Sequence, residues 1–152
     1  MFRTPARLYR MLAIAEAITW TLLIAGLITR AVGGPALAVT IGGGIHGFVF
    51  LAYGATAILV ALNQRWKIGV AALAIGSAVV PFATIPTEIW LHRTGRLRGD
   101  WRLDESDHPQ DRTWYDRSMR WALRRAGILV AVVAVAVVAL YVILLLVGPP
   151  GR

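Results

Sequence analysis

Cysteine is absent from the 152 residues. Disulfides, thiolate metal sites, cysteine nucleophiles and S-palmitoylation are therefore excluded. Charge is scarce: 16% of residues carry it, against roughly a quarter in ordinary soluble domains. Lysine is nearly missing, with Lys67 the one exception among 16 Lys and Arg. Segments covering more than half the chain hold almost no charge, which excludes a disordered tail and a water-soluble enzyme domain. No serine nucleophile elbow, Walker loop, G-x-G-x-x-G, H-E-x-x-H or C-x-x-C occurs. No enzyme activity, cofactor or metal is expected.

What is abundant is apolar: 57% of residues are hydrophobic. The fold class this implies is all-α, a polytopic transmembrane helix bundle with three core helices and a fourth at the C-terminal end. The first run is 11–28; 18 residues rise about 27 Å, just enough for a hydrocarbon core of about 30 Å. Glu16 interrupts it and no clean cleavage site follows, so it is expected to be a retained helix rather than a signal peptide. Gly33, Gly34 and Pro35 make a short turn into helix 36–62. A third run, 68–91, contains Pro81 and Pro86 and should kink or break in its second half. Residues 92–125 form a polar Arg- and Trp-rich loop whose second half, 112–125, reads as an interfacial helix. Run 126–147 has no charge and suits lipid on most sides, and 148–152 is a short tail.

The net charge of +8 sits at the edges of the apolar runs rather than on one face. Arg10, Arg65, Trp66, Lys67, Trp114, Trp121, Arg124 and Arg125 are the expected membrane-interface anchors, with anionic headgroups as partners. Nucleic acid is not an expected partner, because phosphate contacts need a basic face. The positive-inside rule gives a divided answer. With four crossings, a cytoplasmic 92–125 loop and outer termini put ten cations inside and six outside. The short N-terminal loops alone point the other way. A re-entrant Pro81/Pro86 segment, leaving three crossings, is the alternative.

Three ionisable side chains interrupt apolar runs: Glu16, His46 and Glu88. Each is costly in hydrocarbon, by at least ~2.5 kcal/mol for an ionised acid, and should face the bundle interior and pair. They form the candidate intramembrane polar site. One reading is a proton or cation path; the other is pairing that orients the bundle. Metal binding is disfavoured, because the three lie on separate helices without ligand spacing. Gly43 and Gly47 form a G-x-x-x-G packing motif, serving a homodimer seam or packing within one chain. The acidic run Asp104–Asp111 reads as a solvated segment balancing its Arg neighbours.

Four pieces of the chain resemble a known family. They are the opening Tyr9-Arg10-Met11-Leu12-Ala13-Ile14-Ala15-Glu16, the Gly44-Ile45-His46-Gly47 motif with its aromatics to Tyr53, the turn Arg65-Trp66, and Pro81 with Glu88. Over about residues 8–97 the chain is similar to the YdzA-like integral membrane proteins, a bacterial family of unknown function common in actinobacteria. Ala17 stands where that family has Gly, the first connector is shorter, and everything from 92 onward is extra to its three-helix core. The resemblance implies a multi-pass place in a bacterial plasma membrane and interest in Glu16, His46 and Arg65, with no known activity. The function expected is a non-catalytic accessory or scaffold subunit, acting in a homo-oligomer or larger membrane complex. The alternative is a small proton-coupled carrier or channel using Glu16, His46 and Glu88.

Overall fold

A computed structural model describes residues 4–147; Arg3 and the 148–152 tail lie outside the described residues. Among the described residues the regular structure is entirely helical. Helix α1 runs Pro5–Ala31. Thr4 caps it by accepting from the Arg7 amide (3.3 Å), and Pro5 sits in the first turn, where a missing N–H costs nothing. The helix therefore begins before the apolar run and carries Arg7 and Arg10 on its first two turns. Helix α2 runs Leu37–Asn63. These two helices are long and apolar enough to cross a membrane.

Gly33, at φ +87°, turns the chain so that α2 packs antiparallel on α1. The crossing is tight because of Gly26 and Gly42. A Cβ on Gly26 would lie 2.8 Å from the Ala38 carbonyl oxygen, and one on Gly42 2.9 Å from that of Leu22. Gly43 and Gly47 are not the close point. Gly43 faces Leu23 of α1 and Gly47 faces Tyr141 of the last helix, at ordinary contact distances within the chain.

The third apolar run is two half-helices, α3 (Ile68–Gly76) and α4 (Thr84–Arg93), joined through a 3-10 turn at Ser77–Val79 and a reverse turn. In that reverse turn the Ala83 amide bonds the Val80 carbonyl (3.1 Å), Pro81 is second and Phe82 adopts φ +64° in third place. Proline second and positive φ third is the pattern of a type II turn, where glycine is usual. Pro81 thus marks the break. Pro86 does not kink anything; it lies in the first turn of α4, whose amides have no intrahelical partner.

The chain doubles back at this break. Ala78 lies against Trp20, Thr84 against Ala13 and Glu16, and Glu88 against Arg10. So α4 retraces α1 toward its N-terminal end. Trp66, just before α3, donates its indole N–H to the Arg96 carbonyl just after α4 (2.9 Å). Entry and exit of the α3–α4 hairpin therefore share one end of the α1–α2 pair. Nine and ten residues rise about 14–15 Å each, half a hydrocarbon core. The chain doubles back over 68–93, the path that the re-entrant alternative requires. The N-terminal end and the 92–125 segment lie together, so the expected placing of the N-terminus opposite the loop is corrected.

Helix α5 is Trp114–Arg124 and α6 is Ala126–Val147, bent by 107° from one another. If that bent pair is one span, it is a third membrane crossing. The core lies where α1, α2 and the hairpin meet, around Tyr9, Ala13, Tyr53, Ala57, Val60 and Leu91.

Candidate functional site

A helix broken inside a membrane frees carbonyls that need partners. Three polar side chains of the bundle serve that task. The Trp20 indole donates to the Ala78 carbonyl (3.2 Å). The Tyr53 hydroxyl donates to the Ala74 carbonyl (2.9 Å), and Ser77 Oγ donates to the same oxygen (2.8 Å). With the Tyr53 proton so used, the Tyr9 hydroxyl is the donor in their 2.5 Å contact.

The three predicted site residues are staggered along this frame rather than gathered at a point. Along α1, Arg10, Ala13, Glu16 and Thr19 fall on one stripe at threefold spacing. At its outer end Arg10 Nε donates to Glu88 Oε1 (2.8 Å); Arg10 is half exposed and Glu88 is buried. Next inward, the buried Thr84 hydroxyl reaches the Ala13 carbonyl (3.2 Å) and Glu16 Oε2 (3.4 Å). Deepest, Thr19 donates to the Glu16 carbonyl (2.9 Å) and meets His46 Nδ1 at 3.2 Å. His46 is enclosed between the Trp20 ring (4.4 Å) and Phe50 (6.1 Å) and is only 8% exposed. Glu16 Oε1 is buried and makes no hydrogen bond; the Trp20 indole beside the carboxyl is committed to Ala78. Two cavities of about 300 and 420 Å³ flank α2, and neither is lined by Glu16, His46 or Glu88.

A second constellation lies at the membrane edge. Helix α2 ends with Arg65 at φ +50°, the Trp66 amide on the Ala61 carbonyl (3.0 Å) and the Arg65 amide on Leu62 (3.2 Å). This is a Schellman cap with arginine in glycine's usual place. Two carbonyls of that terminus, Leu62 and Asn63, accept from the Arg102 guanidinium. The Asn63 side chain binds the Arg102 amide (2.9 Å). Arg102 also bridges Asp111 (2.8 Å) and Asp116 (3.1 Å). Asp111 collects Arg65, Arg102, Arg120 and both the amide and hydroxyl of Ser106. The Ser106 hydroxyl, then its amide and the Arg65 guanidinium, hold the Asp111 carboxyl well below the usual carboxylate range against the opposing effect of burial.

This cluster corrects one expectation. The acidic run is not solvated throughout, since Asp111 is only 1% exposed. Among the expected anchors, Arg10, Arg65 and Trp66 are engaged in internal contacts, whereas Lys67, Trp114, Trp121, Arg124 and Arg125 are exposed. Arg125 stacks on Trp121 (4.7 Å). The inward face of α5 is Asp116, Met119, Arg120 and Leu123. Sequence reading missed Asn63, Arg102, Asp111, Asp116 and Arg120. A signal was present: Asp116, Arg120 and Leu123 recur at i, i+4, i+7.

The profile of a family described as a domain of unknown function, DUF3817, matches residues 6–93, from the first turn of α1 to the last of α4. The chain belongs to this family. The family region is thus α1, α2 and the doubled-back hairpin, and the Asp111 cluster is built by residues beyond it reaching back to Asn63 and Arg65. A Streptomyces coelicolor protein named "Putative membrane protein SCO5905" is 41% identical over 93 residues. That segment is 60% of this chain and 11% of the relative. The chain therefore matches about a tenth of the length of that relative. No solved structure matches. The protein is a helical membrane protein.

Proposed function

We propose that this DUF3817 protein is a non-catalytic interaction module, an accessory or scaffold unit working through helix faces and lipid contacts. The observation that carries it is the closure of the intramembrane polar groups on one another. His46 has one hydrogen bond, is enclosed between aromatic rings and lines neither cavity. Such pairing orients a bundle and opens no path. The faces left over are apolar, such as Ile14 and Ile18 on α1. The relative supports the reading, because there a similar segment is a small part of a much longer membrane protein.

The orientation that fits is a cytoplasmic loop face in a bacterial plasma membrane. Arg7, Arg10, Arg65, Lys67 and the nine arginines of 93–125 stand at one end; among the described residues Arg30 alone stands at the other. The doubled-back hairpin removes the conflict in the positive-inside count.

A photo-crosslinker at Ile14 or Ile18 in the native membrane tests the module. One discrete heavier protein captured from these positions, and not from Trp114, is the expected result. Only self-adducts from every position would overturn it.

The carrier reading retains one favouring observation, the buried Glu16 Oε1 without a hydrogen bond. Proton flux in proteoliposomes that falls to background in Glu16→Gln would establish that reading in place of the first.

A further inference from the structure

We propose that the groove between α1, α2 and α6 is a binding site for one acyl chain of an anionic phospholipid, with its phosphate at the arginine-rich end. The groove has a volume of about 420 Å³, within the about 300–1,000 Å³ of small-molecule sites. Its walls are Leu12 from α1, Ala52 and Ala55 from α2, and Val133 and Ala134 from α6. Trp101 and Leu103, from the segment that returns to cap α2, also line it.

Length and lining suit an acyl chain. Phe48 and Leu59, both in the wall, lie about 16 Å apart along α2. A methylene chain, with carbon contacts at about 4 Å, can follow such an apolar trough.

Charge selects the headgroup. Leu8, Leu59, Leu103 and Leu123 line the groove and belong to the end where the cations gather. Arg124 Nε is fixed on the Leu103 carbonyl (2.8 Å), at the rim. Its other partner, Asp104, is 90% exposed. An exposed pair of that kind is worth little and exchanges readily for a phosphate. Arg7 is exposed and adjoins Leu8. Basic residues at this depth attract anionic headgroups. This site stands whether or not the module has a larger partner.

Native mass spectrometry of the full chain from mixed micelles of equimolar palmitoyl-oleoyl phosphatidylglycerol and phosphatidylcholine tests it. The wild type should retain one phosphatidylglycerol in roughly tenfold preference. Ala52→Trp and Ala134→Trp fill the groove from opposite walls and should lose the bound lipid while remaining monodisperse and helical. Arg7→Gln with Arg124→Gln should keep a bound lipid and lose the headgroup preference. Equal retention of the two lipids by the wild type would overturn the proposal. So would undiminished binding in the tryptophan variants, or a wild-type dimer that they abolish, since a second copy would then be the occupant. Should both tryptophan variants misfold, the wild-type preference decides.

Discussion

At the scale of single residues, the side chain with most depending on it is Asp111, which ties Arg65, in the cap that follows α2, to Arg102 and Arg120 of the extra segment. Its carboxyl holds its proton less tightly folded than unfolded. Such a group contributes its stability in full above the unfolded value of about 3.9, and that contribution is lost as pH falls through the depressed folded value. Amide protection factors across residues 100–120, flat near neutrality, should therefore fall in acid below about pH 4. In Asp111→Asn they should be low at pH 7 already, with a shallower further loss. An unchanged acid profile in the variant would dissociate Asp111 from this attachment. None of this was legible in Asp104–Asp111 as a string, because consecutive acids look alike until the backbone decides which one turns inward. By contrast Glu16, His46 and Glu88 stood out at once, since a polar atom in hydrocarbon must find a partner. Their partners, Thr84, Thr19 and Arg10, were not legible: pairing across 68, 27 and 78 positions depends on how the helices fold back.

At the scale of elements, hydropathy located the helices and proline located the break, but length alone could not separate a kinked span from a hairpin. The deciding feature is local: Phe82 accepts a left-handed conformation, at φ +64°, so that the chain can reverse at Pro81. A non-glycine residue held there carries strain of order 1–3 kcal/mol. Phe82 is 44% exposed, so little packing opposes a change. Stability measured by detergent-titration unfolding should rank Phe82→Gly above the wild type by about 1 kcal/mol, after the entropy cost of glycine. Phe82→Val should rank below it by at least as much, because a β-branched residue is a poor fit at positive φ. If valine and phenylalanine proved equal, the turn at residues 80–83 would have a different geometry. The same reasoning explains the misplaced glycine emphasis. G-x-x-x-G spacing marked Gly43 and Gly47, yet the close approach uses Gly26 and Gly42, one from each helix, and no spacing within a single helix can show that.

At the scale of the whole molecule, the α3–α4 hairpin changes which segments share a membrane face. If 68–91 crossed as one helix, residues on either side of it would lie in different compartments. Because it returns, Ile68 and the 94–125 segment lie together, and the α1–α2 turn lies at the opposite end of the α1–α2 pair. A chain without cysteine is its own background for measuring this. Single cysteines placed at Val32, Ile68 and Asp107, the first two 80% and 89% exposed, report the three regions. In intact cells a membrane-impermeant maleimide should label Val32→Cys and spare the other two; permeabilisation should expose all three. Labelling of Asp107→Cys together with Val32→Cys, with Ile68→Cys protected, is the signature of a through-going third helix and would replace the hairpin. Labelling of Ile68→Cys and Asp107→Cys together, with Val32→Cys protected, would keep the hairpin and invert the protein. The arginines argue against inversion, since it requires thirteen of the fourteen described cations to be translocated across the membrane against the positive-inside bias.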